Sequence, residues 1–470
     1  MRIIVSTVVF IFHLLAIFTR TDGALSQVYS WKGVEFTDVE KTATVGGYPF
    51  YSASGNQVSG IGYHAKSGTM VVTIPRRQPG IPATVSGFCA KDWKSGTSPK
   101  LFPIPSDNLN ALKDKYFSEA REMTSTESLS RKERSTANIA ENLKNIISVN
   151  SPIIDSKCNR LWFLDTGVIW YPDQIIVVQR PSLWVVNLPE KPCSKDAFKV
   201  IKRIEFAEEE IGDLSNLGDL ALDFAKDGSC DDVHVYIPDS LGRQIVVHDY
   251  RGGKTWAFRG HFSFDPVIRE SALIAGDHQY VVEEGVSSLT LGWRDSSGYR
   301  AAYYIPLSGT GQYAVSTQVL KDETRAPGNF HPEDFKLIGY RGQQLQANRH
   351  VFDPKNGIIF YADAQEQNIR CWNVRRPMTP DHIGVTNFNA THVDGLDLSI
   401  DSRGYLWILA NNPLKFKDSG IDAKAVNTRI FRMSISDAIE GTACEDSSAI
   451  TEGFDETERD VYSDSQDFIH

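Results

Sequence analysis

The sequence predicts an all-β fold, a six-bladed β-propeller, with a partly helical insertion at about 106–147 and a disordered acidic C-terminal tail. A pattern of apolar run, aspartate, polar turn and second apolar run recurs along the chain, starting near residues 61, 154, 222, 289, 351 and 400. Successive starts are 93, 68, 67, 62 and 49 residues apart. A repeated hairpin with room for two further strands in each period is typical of a propeller blade.

The clearest copies of the repeat read almost alike. Residues 153–167 are IIDSKCNRLWFLDTG, residues 351–363 are VFDPKNGIIFYAD, and residues 398–411 are LSIDSRGYLWILAN. Two β-rich runs around a short polar turn indicate a hairpin. Six unrelated hairpins in a large β-sandwich are the alternative, but the close recurrence of the pattern favours the propeller.

The N-terminus differs from the repeats. Residues 1–23 contain one basic residue near the start, an apolar run at 3–18 and small residues at a cleavage site, which is the pattern of a secretory signal peptide. The apolar run is shorter than the ~20 residues of a spanning helix, and a retained anchor is the alternative. No other stretch is apolar enough to cross a bilayer. We therefore expect a secreted, extracellular protein whose propeller domain occupies residues 24–444.

The charge of the chain is unevenly distributed. The net charge is −10, and residues 445–470 contribute −8 of it, from nine acidic residues and one arginine. An acidic balance argues against nucleic acid as a partner. Because the segment 445–470 has few apolar residues, we interpret it as a disordered solubilising tail. A tail that binds a basic partner or Ca²⁺ is the alternative.

The cysteines indicate an oxidising compartment. All six lie beyond the predicted signal peptide, at Cys89, Cys158, Cys193, Cys230, Cys371 and Cys444. Six cysteines allow fifteen pairings, and the sequence alone does not choose among them. None forms a C-x-x-C pair, which argues against a structural zinc site. The sequon at Asn389 predicts a glycosylated surface loop.

Three further segments interrupt or complete the repeats. Residues 30–36 have the apolar alternation of a strand that would pair late and close the ring. Arg76 and Arg77 follow the first hairpin, where they would bind an anion or pair with acids across a blade interface. Residues 106–147 are rich in Ala, Lys, Glu and Ser, with apolar residues at helical spacing. This insertion is interpreted as a surface decoration, with a lid as the alternative.

Ligand-binding residues are expected at one end of the central channel. The loop that enters each first strand and the loop that leaves each second strand open on the same face. Those leaving second strands carry Asp165, Thr166, Asp239, Ser240, Asp363 and Asn411, and those entering first strands carry Asn150, Asp219, Glu284, Asn348, His392 and Asp394. We predict a ligand-binding mouth formed by Asp165, Thr166, Asp239, Asn348, Asp363, His392 and Asn411.

The chemistry of this mouth has more than one interpretation. A ring of acids favours a cationic ligand, or supplies the about six to eight oxygens that Ca²⁺ takes. Alternatively, the aspartates cap turns. No G-x-S-x-G, H-E-x-x-H or P-loop motif is present, so neither a cofactor nor a metal is predicted. His331 and His350 lie near acids or arginine, in a general acid–base role or as hydrogen-bonded structural residues.

Several segments resemble the insect yellow and major royal jelly protein family. They are VTIPR at 72–76 with GIPAT at 80–84, CNRLWFLDTG at 158–167, CWNVRRPMTP at 371–380, and 401–411 continued by NTRIFR at 427–432. The resemblance extends from about residue 31 to residue 444. It implies a secreted six-bladed propeller with disulfides Cys89–Cys158, Cys193–Cys230 and Cys371–Cys444.

The resemblance also implies a range of functions. Family members are associated with pigmentation, dopachrome conversion, binding of biogenic amines in the central channel, and nutritive or sterol-associated roles. We expect the central channel to bind a small aromatic amine or catechol. One alternative is a dopachrome tautomerase, with His392 or Asp394 transferring the proton. Others are a Ca²⁺-dependent lactonase-like propeller and a nutritive or structural protein. The segment 394–398 (DGLDL) departs from the family pattern, which affects any inherited ligand contacts there.

Overall fold

The architecture was determined from a computed structural model. It describes residues 25–90, 96–118, 145–190, 193–212, 215–275, 278–365, 368–388, 395–411, 421–422 and 424–445. The predicted signal peptide, the sequon at Asn389 and the tail beyond Glu445 lie outside the described residues.

Six four-stranded antiparallel sheets follow one another along the chain and confirm the predicted six-bladed β-propeller. The chain starts with β1 (Ser26–Trp31) and a short hairpin, β2 (Thr44–Val45) and β3 (Tyr48–Pro49). Blade 1 contains β4 (Gly60–His64), β5 (Thr69–Thr73), β6 (Val85–Cys89) and β7 (Phe102–Pro103). Blade 2 contains β8 (Val149–Asp155), β9 (Arg160–Asp165), β12 (Ser182–Asn187) and β13 (Val200–Glu205), with the hairpin β10 (Val168–Trp170) and β11 (Ile175–Val177) inserted after β9.

The other four blades repeat the same order of strands. Blade 3 contains β14 (Ala221–Phe224), β15 (Val233–Asp239), β16 (Gln244–Asp249) and β17 (Lys254–Arg259), and the hairpin β18 (Ala272–Ala275) and β19 (His278–Val281) follows it. Blade 4 contains β20 (Val286–Arg294), β21 (Arg300–Pro306), β22 (Gly311–Ser316) and β23 (Lys336–Tyr340). Blade 5 contains β24 (Ala347–Asp353), β25 (Ile358–Asp363), β26 (Ile369–Asn373) and β27 (Ile383–Val385). Blade 6 contains β28 (Gly395–Ile400), β29 (Tyr405–Asn411), β30 (Thr428–Ser434) and the N-terminal β1.

The N-terminal strand closes the ring. β1 pairs antiparallel with β30, with Trp31 opposite Thr428, and the first strand of blade 6 contacts that of blade 1. Closure by the N-terminus is therefore confirmed, but the strand is Ser26–Trp31 and so begins before the predicted 30–36. Val34 and Phe36 are buried as expected, yet they pack from an irregular segment in which Phe36 makes only one isolated bridge, to Leu101.

The hydrophobic core is divided among the blade interfaces. Six buried clusters each lie between two neighbouring blades. Trp162, Trp184 and Trp407 are among the largest fully buried side chains. Trp407 of blade 6, for example, packs against Tyr63 of blade 1 with ring centroids 4.7 Å apart and the ring planes tilted by 34°. Burial of apolar side chains thus holds each blade to its neighbours. The apolar clusters lie between blades, and polar groups occupy the axis of the ring.

The repeated aspartate has a local cause. Asp155, Asp353 and Asp401 each end a first strand, and each side chain accepts backbone N–H bonds from the following turn, at 2.8–3.2 Å. The turns then need a left-handed residue, supplied by Gly357 (φ 69°) and Gly404 (φ 78°). Asp-turn-β is therefore the signature of the hairpin that joins the first two strands of a blade.

Helices are few and short. The described ones are α1 (Asp107–Asn110), α2 (Lys115–Ser118), α3 (Glu208–Ile211), α4 (Thr317–Leu320) and α5 (Ile435–Ile439), with 3-10 turns at Ala53–Gly55, Lys195–Ala197, Phe262–Phe264, Ile268–Glu270, Glu323–Arg325, Pro332–Asp334 and Pro380–His382. α1 and α2 begin the predicted insertion, whose residues 119–144 lie outside the described part. α2 and Leu112 pack with the β2–β3 and β10–β11 hairpins into a seventh apolar cluster. In the described chain, no helix has the length and apolarity needed to span a bilayer.

The disulfides connect neighbouring blades. Cys371–Cys444 is present as the resemblance implied, but the other two expected pairings are wrong. The bonds are Cys89–Cys193, with Cα atoms 5.4 Å apart, and Cys158–Cys230, with Cα atoms 5.8 Å apart. Distance from the axis explains the difference. Cys158 and Cys230 both lie at the turns between first and second strands, whereas Cys89 and Cys193 lie farther out in blades 1 and 2.

Candidate functional site

The aspartates that leave second strands are buried and hydrogen-bonded. Asp165 accepts the backbone N–H groups of Ile147 (2.9 Å), Ser148 (2.8 Å) and Gly167 (3.0 Å) and the amide of Gln179 (2.8 Å). Asp239 repeats this arrangement one blade later, where it accepts two backbone N–H groups and two side-chain donors. Burial raises the pKa of both carboxyl groups, and the hydrogen bonds oppose that rise.

The other predicted mouth residues divide into two groups. Thr166, Asp363 and Asn411 are buried and bonded to nearby protein groups, for example Asp363 to Arg370 at 2.8 Å. Asn348 is exposed at the start of β24. His392 and Asp394 lie outside the described residues, so their roles stay predictions. For the buried residues the geometry favours turn capping, and ligand contact by them also remains a prediction.

Arg76 does not take either role predicted for it. It is fully buried, and it donates to the backbone carbonyls of Ile146 (3.0 Å), Ile147, Ile81 and Asn110 without an ion pair to any described acid. Burial lowers its pKa to about 10, an effect that nearby tyrosines and Asp165 oppose. The Arg76 guanidinium therefore joins blade 1 to the segment that enters blade 2 through hydrogen bonds to backbone carbonyls. The pattern of charged residues in the sequence cannot reveal such a contact.

The centre of the ring contains a charged group that the sequence did not single out. Arg349 on β24 lies 3.3 Å from Asp219 of blade 3 and 3.0 Å from Asp397 of blade 6. In a ring of six, blades 3 and 6 lie on opposite sides, so the Arg349 guanidinium spans the axis. Asp397 also accepts the backbone N–H of Ile61 on blade 1 at 3.0 Å. One arginine therefore connects strands from around the channel.

Ser288 and His350 extend this group, and the five residues Asp219, Ser288, Arg349, His350 and Asp397 are called the axial network below. Ser288 Oγ donates to Asp219 Oδ2 at 2.9 Å and lies 2.8 Å from His350 Nδ1. Because the serine has one proton and the carboxylate takes it, Nδ1 of His350 donates to Ser288. Burial lowers the pKa of His350 to about 3, so the imidazole is neutral at physiological pH.

The axial network carries a net negative charge. One arginine faces two aspartates, which gives these three side chains a formal net charge of −1, and all three are at most 8% exposed. Burial on its own lowers the pKa of Arg349, but the two carboxylates outweigh burial and raise it. Burial raises the pKa of Asp397, against the effect of Arg349. A compact positive group near this network would relieve the imbalance.

A cavity of about 330 Å³ extends from the axial network towards the opposite face of the ring. Asp219, Arg349 and His350 lie at one end, and Asp155 and Ser156 of a first-strand turn at the other. Its walls expose polar and apolar surface in similar amounts, and the apolar side chains are those of Ile153, Ile154, Leu220, Ala221, Leu222, Phe224, Leu289, Leu291 and Val351. Apolar walls with a few convergent polar groups are typical of small-molecule sites.

On the other side of the network lies the mouth predicted from the loops. Arg77 is exposed there and donates to Asn150 Oδ1 at 3.0 Å. Glu284 accepts the hydroxyl of Ser240 at 2.7 Å and the amide of Asn216 at 3.3 Å. These contacts bring together loops of blades 1 to 4 around the channel. The structure thus confirms that loops entering first strands and leaving second strands share one face.

An apolar surface stands beside this mouth. In the β10–β11 hairpin, Trp170 pairs with Ile175 and Val168 with Val177, and the side chains of Trp170, Ile175 and Val177 are 36–42% exposed. The backbone N–H of Trp170 donates to the Arg76 carbonyl at 2.9 Å, which places the hairpin next to Arg77. No group of three or more metal-ligating side chains occurs among the described residues.

Sequence reasoning missed the axial network because its members are distant along the chain. The sequence gives Asp219 only as one of the loop residues, and it does not single out Arg349. A usable signal was nevertheless present: both Arg349 and Asp397 fall within first strands that are otherwise suited to burial. A charge inside a strand next to the axis of a propeller predicts an axial ion pair.

Together these features define a six-bladed propeller with a charged channel mouth and a partly apolar interior. A family model described as "Major royal jelly protein" matches residues 147–444. The chain belongs to this family, which includes the yellow proteins.

Known relatives support the same assignment. The chain is 32% identical over 382 residues to "L-dopachrome tautomerase yellow-f" of Drosophila melanogaster, covering 80% of each chain. It is 28% identical over 433 residues to "Yellow-related salivary protein SP04" of Phlebotomus argentipes, covering 91% of this chain and 94% of that one. It is 26% identical over 431 residues to "Protein yellow" of Drosophila melanogaster, covering 90% and 71%.

Proposed function

We propose that the axial channel binds a small aromatic amine or catechol and that the protein acts, after secretion, in pigment or amine metabolism. The observation that carries the proposal is the net negative charge of the axial network. At an effective dielectric constant of about 20, unit charges about 6 Å apart interact by about 2–3 kcal/mol. A ligand ammonium group on the mouth side of the axial network would gain an energy of this order.

The apolar surfaces account for the aromatic part of the ligand. Trp170, Ile175 and Val177 form an exposed apolar surface beside the mouth, on the mouth side of the axial network. A catechol ring needs a slot of apolar contacts together with a few hydrogen-bonding groups at its edge. The rim residues Asn348, His392 and Asp394 are proposed to supply hydrogen bonds. Asp165 and Asp239 hold the loops that carry the rim.

A second candidate is an enzymatic function, dopachrome tautomerisation. It is favoured by the 32% identity to a protein named as an L-dopachrome tautomerase. Tautomerisation moves a proton from a ring carbon to a quinone oxygen, and it needs a base and an acid at the bound ring. His392 and Asp394 are proposed for these roles. His350 is less suited, because its pKa of about 3 makes it a weak base.

Calorimetry with dopamine and serotonin on the secreted protein, beside a dopachrome decay assay, tests both candidates. We expect Asp397→Asn to weaken amine binding about tenfold to a hundredfold, because it removes the net charge of the axial network. The matched control is Asp353→Asn, an equally buried aspartate that caps the outer turn of a first strand. It should leave affinity unchanged.

The outcomes separate the candidates. Binding without turnover would reject the enzyme, and turnover lost in His392→Ala but not in Asp353→Asn would support it. An absence of both binding and turnover would reject the channel as a site for these compounds. Equal losses of affinity in Asp397→Asn and Asp353→Asn would show that the axial charge does not select the ligand.

A further inference from the structure

Arg77 is a cation without an anionic partner at the channel mouth. It lies in the loop that leaves the second strand of blade 1, and its described side-chain hydrogen bond goes to the neutral amide of Asn150. It makes no ion pair with any described acid. Although its side chain is exposed, protein surrounds it closely enough for burial to lower its pKa. Both properties fit a side chain that points into a water-filled concavity.

Glu284 is the anionic counterpart on the other side of the ring. Glu284 lies in the loop that enters the first strand of blade 4. In a ring of six blades, blade 4 lies opposite blade 1. Ser240 and Asn216, both on blade 3 loops, donate to its Oε2 and fix the carboxylate. It too makes no ion pair with any described residue. Donors from two loops therefore orient a carboxylate that has no cation of its own.

The two charges interact across a gap. Arg77 on blade 1 and Glu284 on blade 4 stand on opposite sides of the same mouth, and the charge of Glu284 raises the pKa of Arg77 against the effect of burial. They are nevertheless farther apart than the 4.0 Å of a direct ion pair. A fixed cation and a fixed anion that face each other without touching leave room for a ligand with both charges. The apolar face of the β10–β11 hairpin lies beside Arg77.

We infer that Arg77 and Glu284 form a zwitterion site, in which Arg77 binds the carboxylate and Glu284 the amino group of an aromatic amino acid or its oxidised derivative. The inference rests on the proposed function and narrows its ligand class to compounds that retain the carboxylate. Guanidinium groups bind carboxylates through paired hydrogen bonds, which a decarboxylated amine cannot accept. The site should therefore discriminate between ligands that differ only in this group.

The test compares L-DOPA with dopamine, and tyrosine with tyramine, by calorimetry on the full secreted chain. We expect the wild type to bind each amino acid at least about tenfold more tightly than its amine. Arg77→Gln keeps a donor for Asn150 but removes the charge. It should weaken binding of L-DOPA by about tenfold to a hundredfold and change binding of dopamine by less than about threefold.

Two further variants separate recognition from general charge. Arg77→Lys keeps the cation without the paired donors and should retain part of the preference. Arg269→Gln removes a cation that is 81% exposed on the linker between blades 3 and 4, and it should change neither affinity. Thermal unfolding of each variant checks that the fold is intact.

Each result has a distinct meaning. Tighter binding of L-DOPA that disappears in Arg77→Gln supports the zwitterion site. If the wild type binds dopamine as tightly as L-DOPA, or if Arg77→Gln weakens both alike, the inference is overturned while channel binding stands. If the wild type binds none of the four compounds and does not convert dopachrome, both the inference and the proposed function are overturned.

Discussion

Two sets of buried carboxylates in this propeller look alike in sequence and differ in what surrounds them. Asp165 and Asp239, at the ends of second strands, receive backbone N–H bonds from their own loops and from the segment that enters the same blade. Asp219 of blade 3 and Asp397 of blade 6, next to the axis, share Arg349 of blade 5. Local hydrogen-bond donors surround the carboxylates of the first set, whereas the two carboxylates of the second set share a single cation.

The comparison shows how burial of the same residue type serves different ends. Backbone donors are fixed by the fold. An aspartate that accepts several of them stabilises its loop, and few of its lone pairs remain free to accept a hydrogen bond from a ligand. Two carboxylates that share one cation leave an excess of negative charge, and such a charge next to a channel can attract a cationic ligand. Three measurements test whether the two sets of carboxylates differ in this way.

The largest effect is expected for Arg349→Leu. Removing the arginine leaves Asp219 and Asp397 buried without a cation, which should reduce the free energy of unfolding by about 3–5 kcal/mol near pH 8. The pKa of Asp397 is already raised, and it will rise further. Because the folded state then binds more protons than the unfolded state, stability should recover as the pH falls towards 5. Chemical denaturation at both pH values measures this change.

Arg341→Leu is the matched control for that experiment. Arg341 is equally buried, but it donates to the carbonyls of Leu345, Gly311 and Gly309 and makes no ion pair with a described carboxylate. Its loss should destabilise the protein to a similar extent at pH 5 and pH 8. If the Arg349 variant also lost stability equally at both pH values, the axial carboxylates would not be charged as described.

A smaller but clear effect is expected for Asp165→Ala. The N–H groups of Ile147, Ser148 and Gly167 would lose their acceptor, and we expect a loss of about 2–4 kcal/mol in the free energy of unfolding. Where the variant still folds, its affinity for ligand should stay within about twofold of the wild type. Unchanged stability with loss of ligand binding would instead identify the second-strand aspartates as the ligand site.

The effect that is smallest at neutral pH concerns His350. Its folded pKa of about 3 lies below the unfolded value of about 6.5. Between these values the unfolded state binds more protons, so this residue makes stability fall as the pH drops, by about 1.4 kcal/mol per pH unit. His350→Gln should flatten the curve of stability against pH below 6.5 relative to the wild type. Parallel curves would show that His350 is protonated in the folded protein.

The fold could be predicted because its signal is local and repeated. Each Asp-turn-β pattern specifies one hairpin, and six patterns fill the chain, so the ring follows without knowledge of any contact between blades. The closing strand was also predicted, although its position was set by Val34 and Phe36, which pack without joining the sheet. Apolar burial and strand pairing coincide in most of this chain but not there.

The site could be predicted only in part. The sequence located the loops of the mouth, including Asn150, Asp219 and Glu284, because propeller topology places them on one face. It could not show which aspartates are saturated, since the donors to Asp165 come from a segment after a long insertion. Two of the three disulfides implied by the resemblance are wrong, because the pairing depends on the distance of each cysteine from the axis of the ring.

A crystal structure of the protein with L-DOPA bound would show whether the axial carboxylates are the source of ligand binding. We predict that the ligand lies in the axial channel, on the mouth side of Arg349, with its amino group nearest to an acidic side chain of the channel. Density for the ligand in contact with Asp165 or Asp239, or outside the channel altogether, would contradict the assignment of the axial carboxylates as the source of ligand binding.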